Sequence, residues 1–254
     1  MWEPRRSIFG ESLQAPNPMS RPKLLLSWSS GKDSAWALHV LRTRAEVDVV
    51  GLFTTFNAAF DRVAMHGVRR ELTQAQAHAA GLALHWIALP HPCPNEEYER
   101  IMGAFVDAAR SQGASHMAFG DLFLADIRAY RERKLAGSGI TPVFPLWGAD
   151  TLALAREMTA AGLRAVLSTV DPKRMPREFA GQQFDGSLLE RLPPDVDPCG
   201  ENGEFHTFCY AGPMFHEPIA LRAGDIVERD GFVFADLALD RGEGGEACAP
   251  QPLE

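Results

Sequence analysis

The sequence predicts a Rossmann-like α/β fold: a mostly parallel sheet with helices on both faces, followed by a smaller C-terminal α/β lobe. Short apolar or β-branched runs alternate with segments whose apolar residues recur at helical spacing. Two of these helical segments stop at glycines, Gly81 and Gly113, which is typical of helix C-termini. A chain of 254 residues that is 46% hydrophobic can form one large domain or a domain with an appended lobe.

The first half of the chain contains four predicted strands. The first is a short apolar run that stops at a Ser/Gly cluster, and the others follow the helical segments. The predicted strands are 23–28, 47–55, 83–89 and 116–119, and the predicted helices are 34–44, 68–79 and 96–110. Because parallel sheets bind ligands at the carboxyl ends of their strands, we expect a site where these strands end.

The second half is less regular. Helices are predicted at 126–135 and 151–161, a short segment at 141–146, a strand at 164–170 and a final edge strand at 232–234. The stretch 195–206, rich in Gly, Pro and acidic residues, is typical of a binding loop. Arg128, Arg131 and Arg133 could clamp a phosphate, but a solvated helix face is the favoured interpretation.

Composition and charge limit the function classes. The net charge of −8 and the pI near 5.5 do not favour a nucleic-acid partner. The four cysteines form no CxxC pair, so the sequence suggests neither a metal cluster nor a redox motif. Since no apolar run approaches the length of a membrane span, we expect a cytoplasmic protein without a membrane partner.

The loop Ser29-Ser30-Gly31-Lys32-Asp33-Ser34 lies between a predicted strand and a predicted helix. Small residues allow a close backbone approach, and the positive end of a helix favours an anion. Lys32 suits a phosphate, Asp33 suits Mg²⁺ or the orientation of a donor, and the serines supply hydroxyl groups. The patterns GxxxxGK[ST] and GxGxxG are both absent. The alternative is a serine-rich turn that only caps the helix.

A second polar cluster follows residue 200. It supplies two carboxylates, an amide, an imidazole and a hydroxyl within seven residues: Glu201, Asn202, Glu204, His206 and Thr207. Such a set could position a substrate amine or ammonia, or bind a metal ion. The alternative is a solvated acidic loop. The spacing of Cys199 and Cys209 does not favour zinc.

The loop resembles the SGGKDS motif of the PP-loop ATP pyrophosphatases, which have a HUP-type fold. Ser30 stands where that superfamily usually has glycine, and a serine fits there if its φ angle is negative. Residues 200–208, followed by Gly212-Pro213-Met214-Phe215, resemble the GE(N)GE[FY]HT(F)…GPLF segment of the diphthine–ammonia ligase family. The resemblance covers roughly residues 23–216.

The resemblance implies an ATP-dependent ligase that releases AMP and pyrophosphate and joins ammonia to a carboxylate through an adenylate. It implies ATP and Mg²⁺ as cofactors. From the sequence pattern we expect a nucleotide-binding domain at 23–123, where the first αβ pattern is complete, and a substrate-binding lobe at 124–238. We also expect a flexible leader (1–22), in which prolines and polar residues are frequent, and a flexible tail (239–254). The implied catalytic residues are Lys32, Asp33, Glu204 and His206, with Asp33 as a metal ligand. The implied cofactor-binding residues are Ser27, Ser29, Ser30, Gly31, Lys32 and Ser34. Two more candidates are placed by their position at predicted strand ends: Asp121, for Mg²⁺ or a ribose, and Thr54, for the nucleotide, with a plain strand end as the alternative for Thr54. The implied substrate-binding residues are Glu201, Asn202, Gly203, Glu204 and Thr207.

Two other functions remain open, and so does the acceptor. Relatives with this loop insert sulfur into tRNA, which would need a persulfide on a cysteine such as Cys93 or Cys199. The other alternative function is a nucleotide-binding sensor with little turnover. The family is named for a modified histidine on a translation elongation factor. The Ala- and Arg-rich composition is compatible with a bacterial member, in which the same chemistry would serve another, unidentified carboxylate acceptor.

Overall fold

The structure is a computed structural model that describes residues 21–57, 62–63 and 67–241. Nearly all of the predicted leader, and the part of the predicted tail that follows residue 241, lie outside the described residues. The flexibility predicted for these two segments therefore stays a prediction.

The first sheet has a parallel core in the order β4-β2-β1-β5-β6, and a short β3 pairs antiparallel with the end of β2. Its strands are β1 (Lys23–Ser27), β2 (Asp48–Asn57), β3 (Arg62–Val63), β4 (Leu84–Leu89), β5 (His116–Ala118) and β6 (Thr141–Val143). The chain leaves β1 toward β2 on one side and returns to its other side as β5. The carboxyl ends of β1 and β5 therefore flank a topological switch point, where open α/β sheets bind ligands.

Helices cover both faces of this sheet, which confirms the predicted fold class. The helices are α1 (Lys32–Arg44), α2 (Arg70–Ala79), α3 (Asn95–Ser111), α4 (Ala125–Leu135), α5 (Thr151–Ala160) and α6 (Gly186–Arg191). Alternate residues of β1 point to opposite faces: Leu24 packs in the core that contains α1, and Leu25 packs in the core that contains Val106 of α3. None of the helices in the described residues is long and apolar enough to cross a membrane.

The C-terminal lobe contains an antiparallel sheet in the order β8-β7-β10-β9. Its strands are β7 (Arg164–Val170), β8 (Phe205–Ala211), β9 (Leu221–Arg229) and β10 (Phe232–Leu239). The predicted edge strand at 232–234 is wrong in its placement, because β10 pairs with both β7 and β9. The sequence did not predict β9, since most of its side chains are exposed and it has no apolar alternation.

The boundary predicted at residues 123/124 stays a prediction. We note that β6, which lies beyond that boundary, is the last strand of the first sheet. The predicted binding loop at 195–206 is irregular up to Glu204 and then enters β8, so His206 and Thr207 are strand residues. Their positions are consequently fixed by pairing with β7.

Candidate functional site

A cavity of about 200 Å³ lies at the switch point. Three parts of the chain line it: the 29–34 loop, the end of β5 with Arg131 of α4, and the segment 199–207. Of the predicted site residues, the cavity brings together Ser27, Ser29, Gly31, Lys32, Asp33, Ser34, Asp121, Glu201, His206 and Thr207. The predicted residues that do not line it are Ser30, Thr54, Asn202, Gly203 and Glu204.

The 29–34 loop joins β1 to α1 and leaves the positive end of α1 at the cavity. The N-cap residue, Gly31, has no side chain to cap the helix. Ser29 Oγ donates to Ser34 Oγ at 3.1 Å, and the backbone N–H of Lys32 donates to Thr207 Oγ1 at 3.0 Å. A Cβ atom at Gly31 would lie 3.2 Å from the carbonyl oxygen of Thr207, so glycine allows the loop to lie against β8.

Ser30 adopts a φ angle of +68°, so the negative angle that would let a serine fit this position is not present. The residue is fully buried, and its hydroxyl donates to the carbonyl oxygen of Ser29. The left-handed conformation costs an L-residue roughly 1–2 kcal/mol, whereas glycine adopts it freely. The loop thus keeps the backbone geometry of a glycine position while carrying a serine.

We expect Ser30→Gly to stabilise the protein by about 1 kcal/mol, because it removes this backbone strain. Urea unfolding measures the difference. The matched control is Ser187→Gly in the first turn of α6, where glycine should destabilise by about 0.5 kcal/mol. A destabilised Ser30→Gly variant would show that the serine hydroxyl outweighs the strain.

Gln76 of α2 is a positioning residue that sequence reasoning missed. It accepts a hydrogen bond from Trp28 Nε1 at 2.8 Å, and its Nε2 donates to the carbonyl oxygens of Ser30 at 2.9 Å and Cys209 at 2.6 Å. The side chain is fully buried. It thereby fixes the 29–34 loop to β8. A polar residue on the apolar face of a predicted helix was the available signal.

Lys32 is 2% exposed. Its Nζ donates to Asp33 Oδ2 at 2.9 Å and to the carbonyl oxygen of Cys199, and it lies over the rings of Phe184 and Phe205. Burial acts to lower its pKa, but the carboxylates around it, Asp33 first, hold the pKa above the ordinary value. The lysine is therefore a permanent cation at the cavity wall.

Segment 197–204 is folded around two carboxylates. Asp197 Oδ2 accepts the backbone N–H groups of Cys199 and Glu201, each at 3.0 Å. Glu204 is fully buried, and its Oε1 accepts from the N–H of Asp197 at 3.1 Å and from Asn202 Nδ2 at 3.0 Å. Glu204 and Asn202 therefore hold the segment in shape. The catalytic role predicted for Glu204 stays a prediction, and its position outside the cavity supports a positioning role instead.

Glu201 is the carboxylate that this segment presents to the cavity. Its Oε1 accepts the backbone N–H of Leu122 at 2.7 Å. Burial, together with the nearby carboxylates of Asp33 and Asp121, raises the pKa of Glu201 to about 7. A carboxyl group that titrates near neutral pH is suited to take up or release a proton during a reaction.

Arg131 lies on the cavity wall, so the prediction of a solvated face is wrong for this residue. Its Nε lies 2.5 Å from Asp121 Oδ2 and its Nη2 lies 3.1 Å from Asp121 Oδ1, and the guanidinium stacks 4.3 Å from the centre of the Phe119 ring. The sequence of α4 does not show which of its arginines faces the cavity. The packing of α4 against the sheet determines that Arg131 does.

His206 and Cys199 complete the lining. Burial, with a smaller contribution from the charge of Lys32, lowers the pKa of His206 to about 4, so its imidazole is neutral at physiological pH. Cys199 Sγ donates to the carbonyl oxygen of Thr151 at 3.4 Å, and burial raises the pKa of this thiol well above its ordinary value. A reactive thiolate is therefore disfavoured at Cys199.

Two carboxylates in the cavity fit a magnesium ion. Asp33 and Asp121 both line it, and Asp33 Oδ1 is buried without a hydrogen-bond partner among the described residues. Within residues 21–57, 62–63 and 67–241 no group of three or more His, Cys, Asp or Glu could hold a metal by itself. Magnesium commonly takes one or two carboxylates and obtains its other ligands from phosphate and water. The residues present fit that arrangement.

Thr54 is a buried residue of β2 that pairs in register with Trp86 of β4. It does not line the cavity. Its predicted contact with a nucleotide stays a prediction.

A parallel sheet with this loop after its first strand defines the class of PP-loop proteins. The Diphthamide synthase N-terminal domain family matches residues 22–140, and the Diphthamide synthase C-terminal domain family matches residues 150–235. The chain belongs to the diphthine–ammonia ligase family.

Two curated relatives are diphthine–ammonia ligases. The Danio rerio protein is 30% identical over 126 residues, which are 46% of this chain and 49% of the relative. The Schizosaccharomyces pombe protein is 30% identical over 94 residues, 35% of this chain and 16% of the relative. The chain thus matches half or less of each relative's length. A U34-tRNA thiolase, NcsA from Methanococcus maripaludis, superimposes with a TM-score of 0.36 and 16% identity, over 56% of this chain and 57% of that one.

Proposed function

We propose that the protein is an ATP-dependent amide ligase. It activates a carboxylate as its adenylate and transfers the acyl group to ammonia. The observation that carries this proposal is the meeting of the 29–34 loop with segment 199–207 in one cavity. The loop supplies the groups that bind a pyrophosphate: the open end of α1, two hydroxyls and Lys32. Segment 199–207 supplies Glu201, a carboxylate with a pKa near neutral.

In this reaction the acceptor carboxylate attacks the α-phosphorus, the bond to the β-phosphate oxygen breaks, and pyrophosphate leaves. Lys32 stabilises the charge on that leaving group, since it is a fixed cation beside the open end of α1. Magnesium, held by Asp33 and Asp121, would supply further neutralisation of the phosphates. Ammonia then attacks the acyl carbon, AMP leaves, and Glu201 takes the proton that the nitrogen loses.

The sulfur-transfer alternative has one supporting observation, the presence of Cys199 in the cavity. Its thiol is buried and its pKa is raised, so it does not supply the thiolate that a persulfide route needs. We expect Cys199→Ser to retain AMP formation. A loss of more than about tenfold, with an unchanged melting temperature, would favour the sulfur route instead.

The first experiment combines the protein with ATP, Mg²⁺, ammonium and a set of carboxylic acids, and phosphorus NMR identifies the products. We expect AMP and pyrophosphate, with an amide formed in equal amount. ADP and phosphate would contradict chemistry at the α-phosphorus. Bound but unchanged ATP with every acid would favour a sensor.

We expect Glu201 to make the free energy of unfolding pH-dependent. Its pKa is about 7 in the folded protein against an ordinary value of 4.5, so ionising it disfavours the folded state. Its stabilising contribution is complete below about pH 4.5 and is lost as the pH rises to 7. Urea unfolding at a series of pH values should show a stability difference between wild type and Glu201→Gln that changes over this window. A constant difference would show that the pKa is not raised.

A further inference from the structure

The side chain of Thr207 lines the cavity at the switch point, although the residue is only 3% exposed. Pairing with Leu167 of β7 fixes its place in β8. Its Oγ1 accepts the backbone N–H of Lys32 at 3.0 Å, and a Cβ atom at Gly31 would lie 3.4 Å from the same oxygen. The hydroxyl of a residue from the C-terminal sheet therefore lies directly against the 29–34 loop.

The hydrogen of this hydroxyl has no acceptor in the described part of the chain. A hydroxyl group can accept and donate at the same time, but the bond from Lys32 uses Oγ1 as an acceptor alone. The loop hydroxyls differ in this respect. Ser29 Oγ donates to Ser34 Oγ at 3.1 Å, and Ser34 Oγ donates to the carbonyl oxygen of Gly31 at 3.0 Å. Since a buried donor without an acceptor is costly, the Thr207 hydroxyl is suited to donate to a ligand in the cavity.

The charges around this hydroxyl favour an anionic ligand. The N–H of Lys32 belongs to the first residue of α1, at the positive end of the helix. Accepting from that N–H polarises the hydroxyl and makes its own hydrogen a stronger donor. The ammonium group of Lys32 lies at the same cavity. Thr207 therefore transmits the positive potential of the helix end to a ligand, although it occupies the N–H itself.

We propose that Thr207 binds the pyrophosphate part of ATP, by donating to a phosphate oxygen while it accepts from the N–H of Lys32. This inference rests on the proposed function. The resemblance implies that Thr207 contacts the acceptor, whereas its contacts with the 29–34 loop support a role at the leaving group. The phosphate site is then a composite one, in which the loop after β1 supplies the cation and β8 supplies a hydroxyl donor.

The test is calorimetric titration of the full chain with inorganic pyrophosphate and Mg²⁺. Thr207→Val keeps the shape of the side chain and removes the hydroxyl, and we expect it to weaken pyrophosphate binding about 10- to 100-fold, the loss of one hydrogen bond to a charged group. Thr207→Ser keeps the hydroxyl and should bind pyrophosphate within about threefold of wild type. Thr207→Ala serves in place of the valine variant if that variant does not fold.

A hydroxyl that only caps α1 predicts the opposite sign. Valine would then release the N–H of Lys32 for the pyrophosphate, and the affinity would stay the same or rise. Either result would overturn the proposal, as would a wild-type protein that does not bind pyrophosphate. The matched control is Ser168→Ala, which removes a buried hydroxyl of β7 that has no hydrogen-bond partner among the described residues and should leave the affinity unchanged.

AMP distinguishes a lost contact from a distorted loop. It lacks the β- and γ-phosphates, so we expect it to bind Thr207→Val as tightly as wild type. Equal losses of affinity for AMP and for pyrophosphate would show that the variant disturbs the whole loop, and would overturn the proposed contact.

Turnover separates this inference from the proposed function. AMP and pyrophosphate formed by the wild type, with undiminished pyrophosphate binding in Thr207→Val, would overturn the role of Thr207 and leave the ligase proposal standing. Pyrophosphate binding that requires the hydroxyl at residue 207, without AMP formation from any acid, would support this inference and overturn the ligase proposal.

Discussion

Lys32→Met should lower the rate of AMP and pyrophosphate formation by at least about 10²-fold, the cost of removing one preorganised charge from a developing anion. It should also destabilise the fold by about 2 kcal/mol, because Asp33, whose side chain is 25% exposed, would lose the charged hydrogen bond from its cation. Methionine is an unbranched apolar side chain that can lie against the rings of Phe184 and Phe205, over which the ammonium group lies, so lost packing contributes little. Product formation and urea unfolding measure the two effects.

The double variant Lys32→Met/Asp33→Asn separates the two effects. Removing both charges should restore most of the stability, since neither is then left unpaired, but turnover should stay low. The control is Arg100→Met, whose loss of an exposed pair with Glu97 should leave stability almost unchanged. If Lys32→Met turned over normally, the role of this lysine at the phosphates would be wrong.

Gln76→Leu should destabilise the protein by roughly 2–6 kcal/mol. The substitution leaves two buried groups unpaired, Trp28 Nε1 and the carbonyl oxygen of Cys209, and the carbonyl oxygen of Ser30 keeps only its bond from the N–H of Cys209. Thermal and urea unfolding check the value. We also expect weaker ATP binding in any folded fraction, because the 29–34 loop loses its connection to α2 and β8.

Gln74, two residues before Gln76, offers a matched control. Gln74 also accepts from an indole, Trp86 Nε1 at 3.3 Å, but it is exposed. Gln74→Leu should cost less than about 1 kcal/mol, because water replaces the lost partner. Similar losses in the two variants would show that burial of Gln76 is not what makes it important.

The parallel sheet could be predicted because its elements are regular and each carries its own signal. The apolar run 23–28, the glycines at 81 and 113, and the helical spacing of 96–110 depend only on local sequence. Of the antiparallel sheet in the C-terminal lobe, the sequence predicted β7 and the start of β10 but neither β8 nor β9. The exposed strand β9 carries no apolar alternation, and the start of β8 follows a stretch whose Gly and acidic residues are typical of a loop.

The residues of the candidate site also differ in how far the sequence could predict them. Lys32, Asp33 and Thr207 lie in motifs that a single sequence displays. The role of Gln76 depends on partners from distant parts of the chain. Glu204 and Arg131 bond to residues near them in sequence, and their roles depend on how segment 197–204 and α4 fold. Glu204 and Gln76 act through hydrogen bonds in the interior, and Arg131 is set inward by the packing of α4. No local pattern distinguishes these residues from a loop acid, a helix glutamine or a surface arginine.

The hydrogen bond between the N–H of Lys32 and Thr207 Oγ1 spans 175 residues of sequence. During synthesis at about 5–20 residues per second, the 29–34 loop is made roughly 10–35 s before β8, the strand that supports it. For that interval Ser30 and Gln76 lack the β8 backbone against which they pack. A nascent chain therefore lacks the complete candidate site, and any activity of that site can appear only after the C-terminal sheet has joined the loop.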